Sequence, residues 1–224
     1  MNRPLAALAA ASAPYHSPED FFARARARLS FDARPFDSGA AIRFGDHTLN
    51  DIAPDPAVLA ASRPAAVLVG VVVRGAAASV ILTLRASTLR DHSGQTAFPG
   101  GKIDAGDASP LATALREAQE EIGLDAGLIT PLGYLDPYLT GTGFRVLPVL
   151  ARVSPDYALT LDPGEVAEAF EVPLSHLMDP ANQQEHQGEW KGVMRRYLSI
   201  ACDGRKIWGA TAGMVRNLHQ RLYL

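Results

Sequence analysis

The sequence predicts a single domain of the mixed α+β class. Two runs rich in β-branched residues, 65–73 and 78–84, are typical of neighbouring strands, because Val, Ile and Thr favour extended backbone. The segment 110–122 instead places apolar residues at helical spacing, and a second helix is predicted at 210–222. Neither an internal repeat nor a low-complexity linker divides the 224 residues, so one domain with extensions accounts for the length.

The N-terminal quarter is predicted to be an extension of that domain. We expect residues 1–17 to form a disordered leader, although Ala11-Ser12-Ala13 has the small-x-small form of a signal-peptidase site. Ser17 followed by Pro18 predicts a helix start, with serine as the N-cap. One side of this helix is apolar and carries Phe21, Phe22, Ala25 and Leu29. Residues 18–64 are therefore expected to pack on the domain, with 31–64 irregular.

Residues 65–224 are predicted to form the domain itself. After the two strands, a glycine-rich loop (94–106) leads into a helix, Pro110–Ile122, which Gly123 ends as a C-terminal cap. Further strands are expected near 132–135, 144–153, 196–202 and 206–208, with a short helix at 165–170 before Pro173 and the last helix at 210–222.

Composition excludes several classes of protein. The formal net charge is −3, so the chain lacks the basic character of a protein that binds duplex nucleic acid. Its single cysteine, Cys202, allows neither an intramolecular disulfide nor a multi-cysteine zinc site. No apolar run approaches the ~18 residues of a membrane-spanning helix. We expect a cytoplasmic protein, monomeric or homodimeric, without nucleic-acid or membrane partners.

The helix at 110–122 carries an unusual cluster of acidic residues. At about 100° per residue, Glu117, Glu120 and Glu121 fall together, nearly opposite the apolar stripe. That stripe comprises Leu111, Leu115, Ala118 and Ile122. Like charges at this spacing repel, and only Arg116 offers local relief. A solvated acidic face is one interpretation. A site for a hard divalent cation is the other, and the preceding glycine-rich loop favours it because glycines let the backbone approach a ligand closely.

The same helix resembles the Nudix box. Residues 116–124 fit the core pattern R-E-U-x-E-E-x-G-U, in which U is an apolar residue. The full box begins G-x5-E-x7-R, and here the chain departs from it, since strict counting places Lys102 and Ala108 at the Gly and Glu positions. Counting from Gly101 gives Asp107 as the acid, with one extra residue before Arg116.

The region upstream resembles one Nudix subgroup, the coenzyme A diphosphatases. Their signature reads L-L-T-x-R-[S/A]-x3-R-x3-G-x3-F-P-G-G, and residues 81–101 meet each fixed position except the first, which is Ile81. The segment 207–214 is similar to their glycine-rich C-terminal segment. The resemblance spans roughly residues 65–213 and implies a Nudix fold, in which a mixed β-sheet is sandwiched between helices.

The resemblance also implies roles for individual residues. Glu117 and Glu121 are the expected ligands of Mg²⁺ or Mn²⁺, and Glu120 joins them or binds a second ion. Arg116 is expected to orient Glu117, with a simple surface pair to Glu120 as the alternative. Glu165 matches the position of the general base better than Glu168 does, although as a helix-start residue it would equally serve as a dipole partner.

Substrate contacts are expected upstream of the helix. Arg85 and Arg90 stand within the coenzyme A signature, and arginine suits bidentate phosphate contacts. Each arginine pairs with a nearby acid in the alternative interpretation. Gly100 and Gly101 are expected to bring backbone N–H groups to the substrate. The implied substrate is coenzyme A, cut to 3′,5′-ADP and 4′-phosphopantetheine, or an acyl-CoA. The alternatives are a diphosphatase for ADP-ribose, NADH or dinucleoside polyphosphates, and a non-catalytic nucleotide-binding module.

Overall fold

The computed structural model describes residues 15, 17–33, 36, 42–54, 56–87, 94–190 and 192–224. Of the expected leader, only Tyr15 and Ser17 fall within this part. The described helices are α1 Pro18–Arg28, α2 Pro56–Ala60, α3 Pro110–Ile122, α4 Leu174–Met178 and α5 Ala210–Tyr223. None of them is both long and apolar enough to span a membrane.

The main sheet contains nine strands within the described residues and is mixed in direction. These strands are β1 Phe44–Gly45, β2 Arg63–Arg74, β3 Ala77–Arg85, β4 Thr96–Ala97, β5 Gly100–Lys102, β6 Ile129–Tyr134, β7 Tyr138–Leu139, β8 Phe144–Val153 and β9 Val166–Pro173. At its centre β2 runs parallel to β8 and antiparallel to β3 and β5, while β9 pairs antiparallel with β3. A separate antiparallel sheet consists of β10 Gln184–Trp190, β11 Val193–Cys202 and β12 Arg205–Trp208.

Two apolar layers cover the two faces of the main sheet. On one face, Ala118 and Ile122 of α3 pack with residues such as Leu68. On the other, α1, α5 and the smaller sheet pack with Val69, the next residue along β2. Because β2 is buried on both faces, its sequence is a nearly continuous apolar run. The prediction of a mixed α+β fold, with a sheet sandwiched between helices, is confirmed.

Local capping signals fix the helix starts and ends where the sequence predicted them. Ser17 Oγ accepts a hydrogen bond from the backbone N–H of Asp20 at 3.2 Å, at the start of α1. Ser109 Oγ does the same for Ala112 at 3.1 Å, at the start of α3. Gly123 ends α3 in the left-handed conformation, with φ +67°. These caps satisfy backbone groups that a helix end leaves unpaired.

Three local predictions were wrong. Residues 166–170 belong to β9 and Glu165 to the turn before it, rather than to a helix, because pairing with the edge of β3 overrides the helix propensity of Ala and Glu. Residues 31–64 are not simply irregular, since they contain β1, α2 and the first residues of β2. The predicted C-terminal strand pair is a three-stranded sheet, and β10 was missed because Gln, Glu and Gly are uncommon in strands.

Candidate active site

Helix α3 lies against the glycine strand β5, and this contact shapes the site. A side chain at Gly101 would overlap the carboxylate of Glu117. Gly100 has φ +150° and packs on the backbone of β2, so only glycine fits there without strain. Its N–H donates to Glu121 Oε2 at 3.1 Å. The two glycines therefore bring backbone directly against two of the three glutamates.

The three glutamates do not share one exposed face, which corrects the expectation from the helical wheel. Glu121 is 3% exposed, whereas the side chains of Glu117 and Glu120 are 15% and 58% exposed. The buried side of α3 runs through Ala114, Ala118 and Glu121. Leu111 and Leu115, which were expected to face the core, are only half-buried. The helix is rotated because its small residues and Glu121 meet the sheet at Gly100 and Gly101, which have no side chains.

Burial places the Glu121 carboxylate under electrostatic strain. Desolvation raises the pKa of Glu121 to about 7, and the negative charges of Glu117 and Glu165 act in the same direction. The Gly100 N–H and the charge of Arg85 oppose this rise. Burial also raises the pKa of Glu117, although Arg116 opposes the increase. Three carboxylates are thus close enough to disfavour one another's ionised forms, an arrangement that a cation would relieve.

Glu165 lies in the turn that leads into β9. Its N–H donates to the carbonyl of Asp162 at 3.1 Å, and its carbonyl accepts from the N–H of Ala86 at 2.8 Å, just beyond the end of β3. The residue is exposed. Its charge acts on both Glu117 and Glu121, so the turn faces the carboxylates of α3. Because a strand rather than a helix begins here, the helix-dipole interpretation of Glu165 is wrong.

Arg116 connects the acidic residues around α3. Its Nη1 lies 3.0 Å from Glu117 Oε1 and 2.8 Å from Glu120 Oε2. Both predicted pairs therefore form. Its Nη2 also donates to the carbonyl of Lys102 at 3.2 Å, which ties α3 to the end of β5.

Asp107 anchors Arg116 in a manner that the sequence did not reveal. Arg116 Nε and Nη2 donate to the two carboxylate oxygens of Asp107, each at 3.0 Å. Thr113 Oγ1 donates to the same carboxylate at 2.8 Å, and the N–H of Asp104 does so at 3.0 Å. These bonds, first of all those from Arg116, hold the pKa of Asp107 well below its usual range. Thr113 lies one helical turn before Arg116, which is the only sequence signal for this contact.

Among the described residues, Arg85 at the end of β3 is the cation that lies within ion-pair distance of Glu121. Its Nη1 lies 3.5 Å from Glu121 Oε1, a long and weak contact. Its Nε is buried and has no hydrogen-bond partner within the described residues. The predicted pairing of this arginine with an acid is observed, although the acid comes from α3. Arg90, the second predicted arginine, lies outside the described residues.

The donor set around α3 fits a hard divalent cation bound together with a substrate. Among the described residues, no group of three or more His, Cys, Asp or Glu side chains forms a metal cage. Mg²⁺ does not need such a cage, because it is usually held by one or two carboxylates together with waters and substrate phosphates. Glu121, buried and incompletely paired, and Glu117 beside it supply carboxylates of that kind.

Known proteins provide an independent comparison. Residues 64–192 match the NUDIX domain family. The chain is 41% identical to "Uncharacterized Nudix hydrolase NudL" of Cronobacter sakazakii over 164 residues, which are 70% of this chain and 81% of that protein. It is 36% identical to the protein of the same name from Yersinia pestis over 163 residues, covering 73% and 81%. A crystal structure of the Nudix hydrolase RenU from M. smegmatis aligns with TM-score 0.45 at 26% identity, covering 53% of this chain and 74% of that one.

The fold and the family match thus define a hydrolase that acts on phosphoanhydride bonds. The chain belongs to the Nudix family and acts on the diphosphate bond of a nucleotide-derived substrate. Nudix hydrolases generally require divalent metal ions, in agreement with the carboxylate donors of α3.

Proposed function

We propose that this Nudix hydrolase cleaves the diphosphate of coenzyme A, or of an acyl-CoA, to 3′,5′-ADP and 4′-phosphopantetheine or its acylated form. The observation that carries the proposal is the coenzyme A signature, whose residues in 81–101 stand in register with the Nudix box. The fold supports it, because the signature begins in β3 and ends in β5, and both strands contact Glu121 of α3.

Mg²⁺ or Mn²⁺ is the cofactor of this proposal. Glu117 and Glu121 would hold the ion, with Glu120 as an additional ligand. The ion would neutralise charge on the diphosphate and acidify a water molecule. Arg116 does not contact the substrate in this account. Anchored by Asp107, it orients the carboxylates of Glu117 and Glu120.

The remaining roles belong to residues at the strand ends. Glu165 accepts the proton of the attacking water, since it is exposed and its turn faces Glu117 and Glu121. Arg85 binds a phosphate oxygen, since its guanidinium makes only a long contact, 3.5 Å, with Glu121. Arg90 is proposed for the same task on the basis of the signature alone. Gly100 and Gly101 let the backbone approach the phosphates. The cytoplasmic location and the monomeric or homodimeric state remain predictions.

The experiment assays the purified protein against a panel of substrates in the presence of Mg²⁺ or Mn²⁺. The products are separated by chromatography and identified by mass spectrometry. We expect coenzyme A or an acyl-CoA to have the highest kcat/KM and to give 3′,5′-ADP. Much faster cleavage of ADP-ribose, NADH or a dinucleoside polyphosphate would contradict the proposal. No cleavage of any substrate with either metal would instead support the non-catalytic binding module.

The general base is tested by a matched pair of variants. Glu165→Gln should reduce kcat by about 100-fold, which is within the usual range for loss of a general base. Glu168→Gln is the control, because Glu168 lies three residues further on and pairs with Arg205 of β12 instead. Its activity should stay within about threefold of the wild type on this reasoning. Equal losses in both variants would remove Glu165 from the mechanism.

A further inference from the structure

The smaller sheet has one face that the diphosphatase site does not use. Its other face packs into the core through Leu198, Ile200 and Ile207. Strand pairing places His186 opposite Tyr197 and Trp208 opposite Ser199 on the outward side. This outward side is called the aromatic face here. It lies on the side of the main sheet opposite to α3, and therefore away from the carboxylates.

Aromatic rings on the aromatic face come from three adjacent strands. His186 and Tyr197 stack with their centroids 5.4 Å apart at an interplanar angle of 28°. Trp208 meets Tyr197 edge-on at 5.9 Å, and it remains 39% exposed. Neighbouring strands are about 4.8 Å apart, so the rings form a row about 10 Å long. A row of this length offers more than one place for a planar ring to stack.

The charge of the aromatic face is positive, in contrast to the protein as a whole. Lys206 Nζ lies 5.2 Å from the centroid of Tyr197 and is exposed. Arg195 occupies a position on the same side, opposite Gly188, but it is half-buried, so Lys206 is the exposed cation of this face. The acidic residues of β10, Glu185 and Glu189, pair with Leu198 and Met194 and therefore point to the opposite side. Within the described strands of the sheet, the outward positions thus carry an exposed lysine and no carboxylate.

We propose that the aromatic face binds single-stranded nucleic acid. Bases stack on exposed aromatic rings of a sheet, while nearby cations contact the phosphates, and this combination suits single strands without sequence preference. The exposed ring of Trp208 offers the stacking surface for a base, and Lys206 on the neighbouring side of the face can contact the phosphate of an adjacent nucleotide, which favours an oligonucleotide over a single nucleotide. This proposal goes beyond the diphosphatase function. It also departs from the expectation of no nucleic-acid partner, which was based on the net charge, because the positive charge is confined to one face.

The test measures binding of a fluorescent single strand of about 12 nucleotides by anisotropy, a length within the range of known single-strand sites. Wild-type protein should bind it, more weakly as salt increases. Trp208→Ala and Lys206→Glu should each weaken binding by at least about fivefold. Phe31→Ala, at a ring that is 51% exposed elsewhere, and Arg26→Glu, on α1, are the matched controls and should bind like the wild type.

Several results would overturn the proposal. These are no binding by the wild type, equal losses in variants and controls, or AMP competing as well per site as the oligonucleotide. Loss of a dimer on size exclusion in Trp208→Ala would assign the aromatic face to a second copy of the chain. Circular dichroism should stay unchanged in both variants and diphosphatase activity in Lys206→Glu, which separates lost binding from misfolding. Because the aromatic face lies away from α3, saturating coenzyme A should not displace the oligonucleotide.

Discussion

Two acidic residues near α3, Asp107 and Glu121, have opposite environments. Asp107 accepts hydrogen bonds from Arg116, Thr113 and the N–H of Asp104, and its pKa is lowered. Glu121 is buried at 3% exposure, with one backbone N–H at 3.1 Å and one arginine at 3.5 Å, and its pKa is raised to about 7. Within the described residues, the hydrogen bonds of Asp107 stabilise its ionised form, whereas the contacts of Glu121 do not offset its burial.

This difference separates a positioning residue from a candidate metal ligand. A carboxylate whose lone pairs are all used by the protein has little to offer a cation. A buried carboxylate that lacks partners is destabilised until a ligand arrives, and such groups cluster at functional sites. In the proposed mechanism, Asp107 acts through Arg116, whereas Glu121 contacts the ion. In that mechanism Asp107 need not stand at the acid position of the Nudix box, because it does not contact the ion itself.

The largest expected effect is on turnover. Glu121→Gln keeps the size of the side chain and an acceptor for the Gly100 N–H, but removes the charge. We expect kcat to fall by more than about 100-fold, because loss of a group that merely supports a metal ligand already costs 10–100-fold. Steady-state kinetics in Mg²⁺ and Mn²⁺ measures this. Wild-type turnover in the variant would rule out the role of Glu121 as a ligand.

Asp107→Asn should have a smaller effect on turnover. Asn cannot accept both N–H groups of Arg116, so Arg116 is held less firmly against Glu117 and Glu120. We expect kcat to fall by about tenfold and the thermal midpoint to decrease. A higher metal concentration should not restore turnover fully, since the defect is one of orientation. If turnover fell as far as in Glu121→Gln, the distinction between the two carboxylates would be lost.

Without metal, Glu121→Gln should be more stable than the wild type, although its turnover is the lowest. The pKa of Glu121 is 4.5 when unfolded and about 7 when folded, so the folded state binds more protons between these values. The wild type therefore loses stability as pH rises through this window, by up to about 3 kcal/mol at 1.36 kcal/mol per pH unit. Glu121→Gln avoids this loss.

Urea unfolding in EDTA at pH 5 and pH 8 tests the stability prediction. The variant should exceed the wild type mainly at pH 8, because the carboxyl of the wild type is charged there. Glu171→Gln is a useful contrast, since Ser79, Tyr157 and Arg74 hold the pKa of Glu171 below its usual value. A Glu121→Gln variant that is less stable than the wild type at pH 8 would contradict the account.

The smallest effect is expected at Glu120. Its side chain is 58% exposed, and its pair with Arg116 is a surface contact. Glu120→Gln should change the free energy of unfolding by less than about 1 kcal/mol. Its effect on kcat should be smaller than that of Glu117→Gln, as parallel kinetics of the two variants will show. A larger loss at Glu120 would make the exposed glutamate the principal ligand.

The sequence predicted what depends on local signals and short patterns. Helix α3 has the predicted ends because Ser109, Pro110 and Gly123 act on backbone groups within a few residues. The rotation of α3 could not be predicted, since it depends on the absence of side chains at Gly100 and Gly101 in a strand that packs against it. In the same way, β9 became a strand only through pairing with β3, which is a long-range contact.

The most direct test of the central claim is Mn²⁺ binding, measured by electron paramagnetic resonance on the wild type, Glu121→Gln and Asp107→Asn without substrate. If Glu121 is a metal ligand and Asp107 a positioning residue, Glu121→Gln loses most of the bound Mn²⁺, whereas Asp107→Asn retains it with lower affinity. Wild-type Mn²⁺ binding by Glu121→Gln, together with complete loss in Asp107→Asn, would contradict the assignment.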